Sequence, residues 1–215
     1  MAREQVHAAI DQGMRPVEIV RQIGRALDDL AAKCAPTACA RGCGWCCHQR
    51  VDVTAPEIFA LAEHLRGDES VRARLGATAA ALAGLSSRAH HLRRVRCSLL
   101  NDAMECSAHS ERPLACRRGH SLDATTCRAV YDDPTLATQI PADSTRSWNT
   151  AALILGYREG YAHHQRALDT YELNAGLLIA LEDDTCESRW SSGEDVLAAA
   201  RTHSSDEIAQ LLGAR

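Results

Sequence analysis

The clustering of cysteines is the feature that most constrains this chain. Ten of its 215 residues are cysteine, and eight of these lie between Cys39 and Cys127. The first residues contain no apolar run suited to a signal peptide, and no stretch approaches the ~18 apolar residues of a membrane span. We therefore expect a cytoplasmic protein, in which reducing conditions disfavour disulfides. Metal ligation or redox chemistry then remains to explain the cysteines.

The densest group of thiols has the pattern Cys39-x3-Cys43-x2-Cys46-Cys47. Gly42 and Gly44 flank Cys43, so the backbone can bend tightly and its amides can donate hydrogen bonds to sulfur. The side chains of adjacent residues usually diverge. The Cys46-Cys47 pair therefore suits two metals, or one ligand beside one non-ligand, better than a single tetrahedral ion.

A second, wider group has the pattern Cys97-x8-Cys106-x9-Cys116-x10-Cys127. Two short segments flank a turn signal at Asn101-Asp102, which predicts a β-hairpin that brings Cys97 and Cys106 together. The eight thiols suit two four-thiolate sites or one multinuclear cluster. Three histidines beside the cysteines could each replace a thiolate or serve as a cap or surface residue: His48, His109 and His120.

The spacing of the thiols bears on the identity of the metal. Closed zinc sites usually take their ligands from CxxC-type pairs, and the second group has none. Closely spaced thiolates in a Gly-bearing loop are more typical of iron–sulfur clusters. We therefore expect an iron–sulfur cluster, with zinc as the alternative. Mononuclear iron, copper and thiol redox activity are further options.

Hydrophobic periodicity predicts a mainly α fold. Thr54 and Glu57 form a capping box with Pro56 in the first turn, which predicts a helix start. Other helices are predicted before Cys34 and over about 69–91, 123–131, 143–165, 169–182, 193–202 and 205–213. Strand–helix alternation is absent, which argues against an α/β fold.

These elements predict a single domain over residues 1–215. It would be a small helical domain around a cysteine-rich metal core, with one short β-hairpin as its sheet-like element. The core covers about 34–130, with helical extensions over 1–33 and 131–215.

The net charge and the lack of two known motifs exclude several classes of partner and reaction. The net charge is -4 and the sequence pI is about 6.2, so the basic surface of a general nucleic-acid binder is missing. We expect no nucleic-acid or membrane partner, and leave a protein partner open. The chain has neither a phosphate-binding GxxxxGK[ST] loop nor an HExxH zinc-protease helix.

Several sequence motifs resemble those of the YkgJ-like cysteine-cluster family. They are CARGCGWCC, the helix start TAPEI and the segment RCSLLNDAMECSAHSERPLACRRGH. That family has a CxxxCxxCC opening and an RPxxCR segment, matched here by Arg112-Pro113 and Arg117. Its eight cysteines correspond to Cys39, Cys43, Cys46, Cys47, Cys97, Cys106, Cys116 and Cys127. The resemblance covers about residues 39–130. It implies that these thiols chelate zinc or iron and does not imply one settled reaction.

Three kinds of function stay open. The first is a metal protein with a redox or electron-transfer role. The second is an enzyme modifying a protein side chain, a methyltransferase or an oxidoreductase, because the same domain occurs in flagellin lysine N-methylases. The third is a purely structural metal domain. The CxxxCxxC spacing is also that of radical SAM enzymes, but their repeated strand–helix units are missing. Cys34 and Cys186 lie outside the eightfold pattern and are expected to be small apolar residues.

The helical region after residue 143 gathers aromatic and titratable side chains. Tyr157, Tyr161 and His164 fall on one helix face, with Glu159, His163 and Glu172 nearby in sequence. They form either a pocket wall or carboxylate–histidine site, or a core surface with the tyrosine hydroxyls at its edge. With Trp148 and Tyr171, the two tyrosines suit docking against the cysteine core.

Overall fold

The computed structural model describes residues 2–164, 166, 168–204 and 206–208, and these confirm a mainly α fold. The helices are α1 (Ala2–Asp11), α2 (Pro16–Ala32), α3 (Ala55–Leu65), α4 (Glu69–Leu82), α5 (Ser87–Arg93), α6 (Leu114–Arg118), α7 (Ala124–Asp132), α8 (Ser144–His163), α9 (Leu173–Glu182) and α10 (Cys186–Ser191). Short 3-10 turns cover Trp45–His48 and Ala198–Ala200. None of the helices in these ranges is long and apolar enough to cross a lipid bilayer.

A three-stranded antiparallel sheet joins distant parts of the chain. Its strands are β1 (Asp52–Val53), β2 (Thr170–Glu172) and β3 (Arg201–His203), in the order β1-β2-β3. Asp52 lies opposite Glu172. The expectation that a hairpin around Asn101 would be the sheet-like element was therefore wrong, because local patterns cannot show pairing between strands so far apart in sequence.

The segment around Asn101 does reverse direction, but as a tight turn with one bridge between Leu100 and Cys106. The Asn101 side chain accepts the N–H groups of Ala103 and Glu105, both at 3.0 Å. These local hydrogen bonds close the turn within a few residues and leave little extended backbone that could pair as two β-strands.

The helix predicted over about 69–91 is two helices. The first, α4, ends at Leu82, and Gly84 then takes φ +70°, a conformation that glycine adopts without strain. The Ser86 side chain caps α5 by accepting the Ala89 N–H at 3.2 Å. The glycine and the capping serine thus end one helix and start the next, although the Ala-rich composition favours one continuous helix.

The C-terminal expectations were partly wrong. The helix predicted from 169 is preceded by β2 and begins only at Leu173, and that predicted over 193–202 is replaced by the Ala198–Ala200 turn and β3. The remaining helix, over 205–213, falls largely outside the described residues. At its start the backbone N–H of Ser204 donates to Glu207 at 2.7 Å, and the Glu207 N–H donates to the Ser204 hydroxyl at 3.2 Å.

The core is built from aliphatic side chains of several helices, with two tyrosines of α8 inside it. Tyr157 and Tyr161 are fully buried, so they fill the core rather than line a pocket. The Tyr157 hydroxyl lies 3.2 Å from the Thr54 hydroxyl, which attaches α8 to the start of α3. The tyrosine hydroxyls are therefore not at the core's edge. Trp148 is 77% exposed and does not dock against the cysteine region, contrary to expectation.

Substitution of Gly160 tests the close packing of α1 on α8. A Cβ atom at Gly160 would lie 2.6 Å from the Val6 side chain, so the two helices must move apart. We expect Gly160→Ala to lower the free energy of unfolding by about 1–3 kcal/mol in urea denaturation. Gly76→Ala in α4 is the matched control, because nothing lies within 4 Å of its Cβ. It should add about 0.5–1 kcal/mol through helix propensity. Equal gains in both variants would contradict the packing argument.

Candidate metal centre

The two cysteine groups lie next to each other although about 50 residues separate them in the sequence. The Cys97 N–H donates to the Cys47 carbonyl oxygen at 2.8 Å. The loop before Trp45 also packs against the turn around Asn101, because a Cβ at Gly44 would lie 2.8 Å from the Met104 methyl carbon. These contacts place the Cys-Cys pair beside the first two cysteines of the second group.

Cys46 affects the pKa of five other cysteines. It shares a hydrogen bond with Cys47, so the two adjacent thiols converge in the 3-10 turn. The sequence had suggested that they would diverge. Burial is the largest cause of a raised pKa at four further cysteines, and the charge of Cys46 adds to it at each: Cys43, Cys97, Cys106 and Cys116. Cys39 is the neighbour of Cys43 and acts on it in the same way.

The pKa values differ sharply within this network. The hydrogen bond from Cys47 lowers the pKa of Cys46 to about 7, although burial opposes this shift. The same bond raises the pKa of Cys47, because Cys47 is the partner that keeps its proton. Burial raises the pKa of Cys97 to about 12. Cys46 is therefore the thiol of this pair that loses its proton more readily, and a thiolate is the form that binds metals.

Backbone amides stabilise charge on three of the sulfurs. The sulfurs of Cys43, Cys97 and Cys106 each accept an N–H from the residue two positions later, and in each case this bond lowers the thiol pKa. The donors are Trp45, Leu99 and Ala108. The Gly-flanked loop had predicted such donors only for the first group. Hydrogen bonds of this kind stabilise thiolates bound to metal.

Glu57 fixes the helix that carries Cys116. One carboxylate oxygen of Glu57 accepts the N–H and the hydroxyl of Thr54, at 2.8 and 2.7 Å, which completes the predicted capping box. The other oxygen accepts the N–H of Leu114, the first residue of α6, at 2.8 Å. Burial of this carboxyl raises its pKa, while its hydrogen bonds oppose that shift. The starts of α3 and α6 are thus joined through one side chain.

Arg117 fastens α6 to α2. Its guanidinium is buried, pairs with Asp28 of α2, and donates to the carbonyls of Ser110 and Arg112. The space it occupies lies over Gly24, where a Cβ would be 3.1 Å from the Arg117 Nε. Sequence analysis singled out Arg117 by its motif but missed Asp28, because nothing local in α2 marks Asp28 as its partner.

Cys127 lies at the margin of the site. Its helix α7 packs on the 3-10 turn, where the Tyr131 ring is 5.1 Å from that of Trp45 and 4.7 Å from that of His48. Cys127 precedes Tyr131 by one helical turn and so shares its face. Helix α7 thus places Cys127 beside the turn that carries Cys46 and Cys47.

The three histidines near the cysteines make hydrogen bonds of their own. His48 is buried, and its Nδ1 lies 3.1 Å from the Gly44 carbonyl oxygen. Both nitrogens of His120 are used, since Nδ1 donates to the Arg118 carbonyl at 2.9 Å and Nε2 accepts the Asp143 N–H at 3.0 Å. His109 Nδ1 is 3.4 Å from an Arg112 nitrogen. His120 thus has no lone pair left for a metal.

The donor set fits a thiolate-bound metal. The thiols raise one another's pKa, so a cation among them would relieve their repulsion. Protein atoms crowd the sulfurs of Cys46 and Cys116, but both residues keep part of their surface in contact with solvent. Their spacing is wide: in the described part of the chain, no three cysteine sulfurs all lie within 4.8 Å of one another. Four thiolates around one zinc ion would stand about 3.8 Å apart, from a Zn–S bond of about 2.3 Å.

Comparison with known families identifies this segment. Residues 38–135 match the CxxCxxCC family model, described as "Putative zinc- or iron-chelating domain". The match spans somewhat under half of the chain and includes all eight cysteines from Cys39 to Cys127. Searches of curated proteins and of solved structures found no match. This matched segment contains the motifs by which the sequence resembles the YkgJ-like cysteine-cluster family.

Proposed function

We propose that the eight cysteines hold an iron–sulfur cluster with a role in electron transfer. The observation that carries this proposal is the network centred on Cys46, in which six thiols act on one another at separations wider than a single ion requires. In a multinuclear cluster the thiolates bind different irons, so their sulfurs stand farther apart than around one ion. Such a cluster supplies one-electron redox chemistry when bound.

The protein's own groups would tune that chemistry. The amides that donate to Cys43, Cys97 and Cys106 offset negative charge on sulfur, and this hydrogen bonding is one determinant of reduction potential. The exposure of Cys46 and Cys116 leaves an edge of the site open to a redox partner. We also propose a cytoplasmic location, because ten free thiols persist best under reducing conditions.

Anaerobic purification tests this function directly. We expect a brown protein with broad visible absorption, containing iron and acid-labile sulfide in comparable amounts. Reduction with dithionite should bleach the absorption and produce an electron paramagnetic resonance signal. A colourless protein with stoichiometric zinc and no sulfide would contradict the proposal.

A structural zinc domain is the second candidate, and the lack of buried side chains on α7 favours it. Helix α7 has no buried residue, so this helix must be held in place by something other than core packing. Structural zinc sites contribute about 10–16 kcal/mol of apparent binding free energy to folding. Removal of zinc with a chelator should then unfold the protein, which circular dichroism would detect.

A further inference from the structure

We infer a second metal site, formed by His7 and Asp11 of α1 with His164 at the end of α8. Among the described residues, this is the set of three metal-ligating side chains whose ligand atoms all lie within 4.8 Å of one another. It contains no cysteine, and its residues lie outside the segment that matches the CxxCxxCC family. It therefore stands independently of the function proposed for the thiols.

One ligand atom of each residue lies within 4.8 Å of the other two, close enough for all three to be drawn to one cation. His7 Nδ1 lies 2.7 Å from His164 Nε2. The Asp11 carboxylate is 3.6 Å from His7 Nε2 and 3.9 Å from His164 Nε2. Bonds of about 2.0–2.2 Å from zinc to nitrogen or oxygen place neighbouring donor atoms roughly 3–3.5 Å apart. His7 faces His164 through Nδ1 and Asp11 through Nε2, so a bound cation would replace the hydrogen bond between the two rings and take one nitrogen from each of them.

The packing of α1 on α8 holds the three ligands in place. His7 and Asp11 are four residues apart, so they share one face of α1. That helix packs closely on α8, where Gly156 and Gly160 leave no room for a Cβ. His164 directly follows the last residue of α8. The sequence places His164 near acidic residues of its own region, whereas its carboxylate neighbour comes from α1.

The donor types select the class of ion. Two imidazoles with one carboxylate suit a first-row transition ion such as zinc, and they leave coordination positions open. Calcium and magnesium prefer sites built from oxygen alone. The ring of His163 lies 4.2 Å from that of His7, and both residues border a cavity of about 510 Å³. Water or a small anion could therefore reach an open position on the ion.

Zinc titration of the metal-loaded, full-length protein tests the site. We expect one equivalent of zinc to bind beyond the metal already held by the cysteines. His164→Gln and Asp11→Asn should each weaken this second binding at least roughly tenfold. Exposed His64→Gln is the matched control and should keep it. If His164→Gln and Asp11→Asn bind zinc like the wild type, the inference is wrong.

Cobalt distinguishes the ligands by spectroscopy. Cobalt bound by imidazole and carboxylate gives weak visible bands, whereas thiolate ligands add strong charge-transfer absorption in the near ultraviolet. The equivalent of cobalt that binds to the metal-loaded protein should produce the former without the latter. Thiolate bands on this equivalent would show that the ion has gone to the cysteines and that the inference is wrong. Circular dichroism of both triad variants confirms that they are folded.

Discussion

Replacement of Cys46 by serine should remove most of the metal bound by the cysteines. Cys46 acts on five other cysteines, more than any other thiol, and its lowered pKa favours the thiolate that binds metal. A serine hydroxyl stays protonated at this pH and is a poor ligand for iron or zinc. We expect affinity to fall by more than roughly 100-fold, beyond the effect of removing a supporting hydrogen bond. Elemental analysis of purified Cys46→Ser measures the loss.

The same substitution should also destabilise the fold. Metal binding by a thiolate site is coupled to folding and can contribute about 10–16 kcal/mol. Cys46→Ser should therefore unfold at a markedly lower temperature than the wild type, and Cys43→Ser in the Gly-flanked loop should behave similarly. Calorimetry of both variants, purified anaerobically, gives the comparison.

Cys186→Ser is the matched control. Cys186 is buried in the hydrophobic core on α10, and burial raises its pKa to about 11, so it acts as a small apolar residue. Serine at this position should cost some stability, about 1–3 kcal/mol for a buried hydroxyl, and leave the metal content unchanged. Wild-type metal in Cys46→Ser, or a loss of metal in Cys186→Ser, would contradict the proposed ligand set.

Local signals in the sequence predicted the parts of the fold that depend on neighbouring residues. Thr54 and Glu57 predicted the start of α3, and Gly67-Asp68 its end, because capping and chain breaking act over a few residues. The sheet was missed, since Val53 meets Tyr171 only through tertiary packing. A strand of two or three residues carries too little periodicity to be recognised alone.

The candidate sites also divide into features that the local sequence predicts and features that depend on tertiary packing. Clustering in the sequence was enough to propose the eight cysteines as ligands, and glycines at 42 and 44 predicted amide donors near Cys43. The arrangement of His7, Asp11 and His164 could not be foreseen, because two helices far apart in the sequence supply it. Nor could the second role of Glu57, whose contact with Leu114 depends on how α3 and α6 pack.

Glu57→Ala should be among the most destabilising substitutions outside the cysteines. It removes the acceptor for three donors: the N–H and hydroxyl of Thr54 and the N–H of Leu114. A buried donor left without a partner costs about 1–3 kcal/mol, so we expect a loss of about 4 kcal/mol in the free energy of unfolding. This is a large share of the roughly 5–15 kcal/mol that stabilises an ordinary domain. Urea denaturation measures the change.

Glu207→Ala provides a matched control, because Glu207 forms the same capping contact with Ser204 at an exposed position. Water can replace the carboxylate there, so the loss should be about 1 kcal/mol or less. The difference between the two variants isolates burial and the bond to Leu114. Equal losses would show that Glu57 acts only as an ordinary cap.

Metal content separates the two tasks of Glu57. Because Leu114 opens the helix that carries Cys116, release of its N–H should loosen the position of that thiol. We expect Glu57→Ala to bind metal less tightly even under conditions where it remains folded, whereas Glu207→Ala binds it like the wild type. A folded Glu57→Ala with unchanged affinity would mean that Cys116 is held by other contacts, such as the ion pair between the buried Arg117 guanidinium and Asp28.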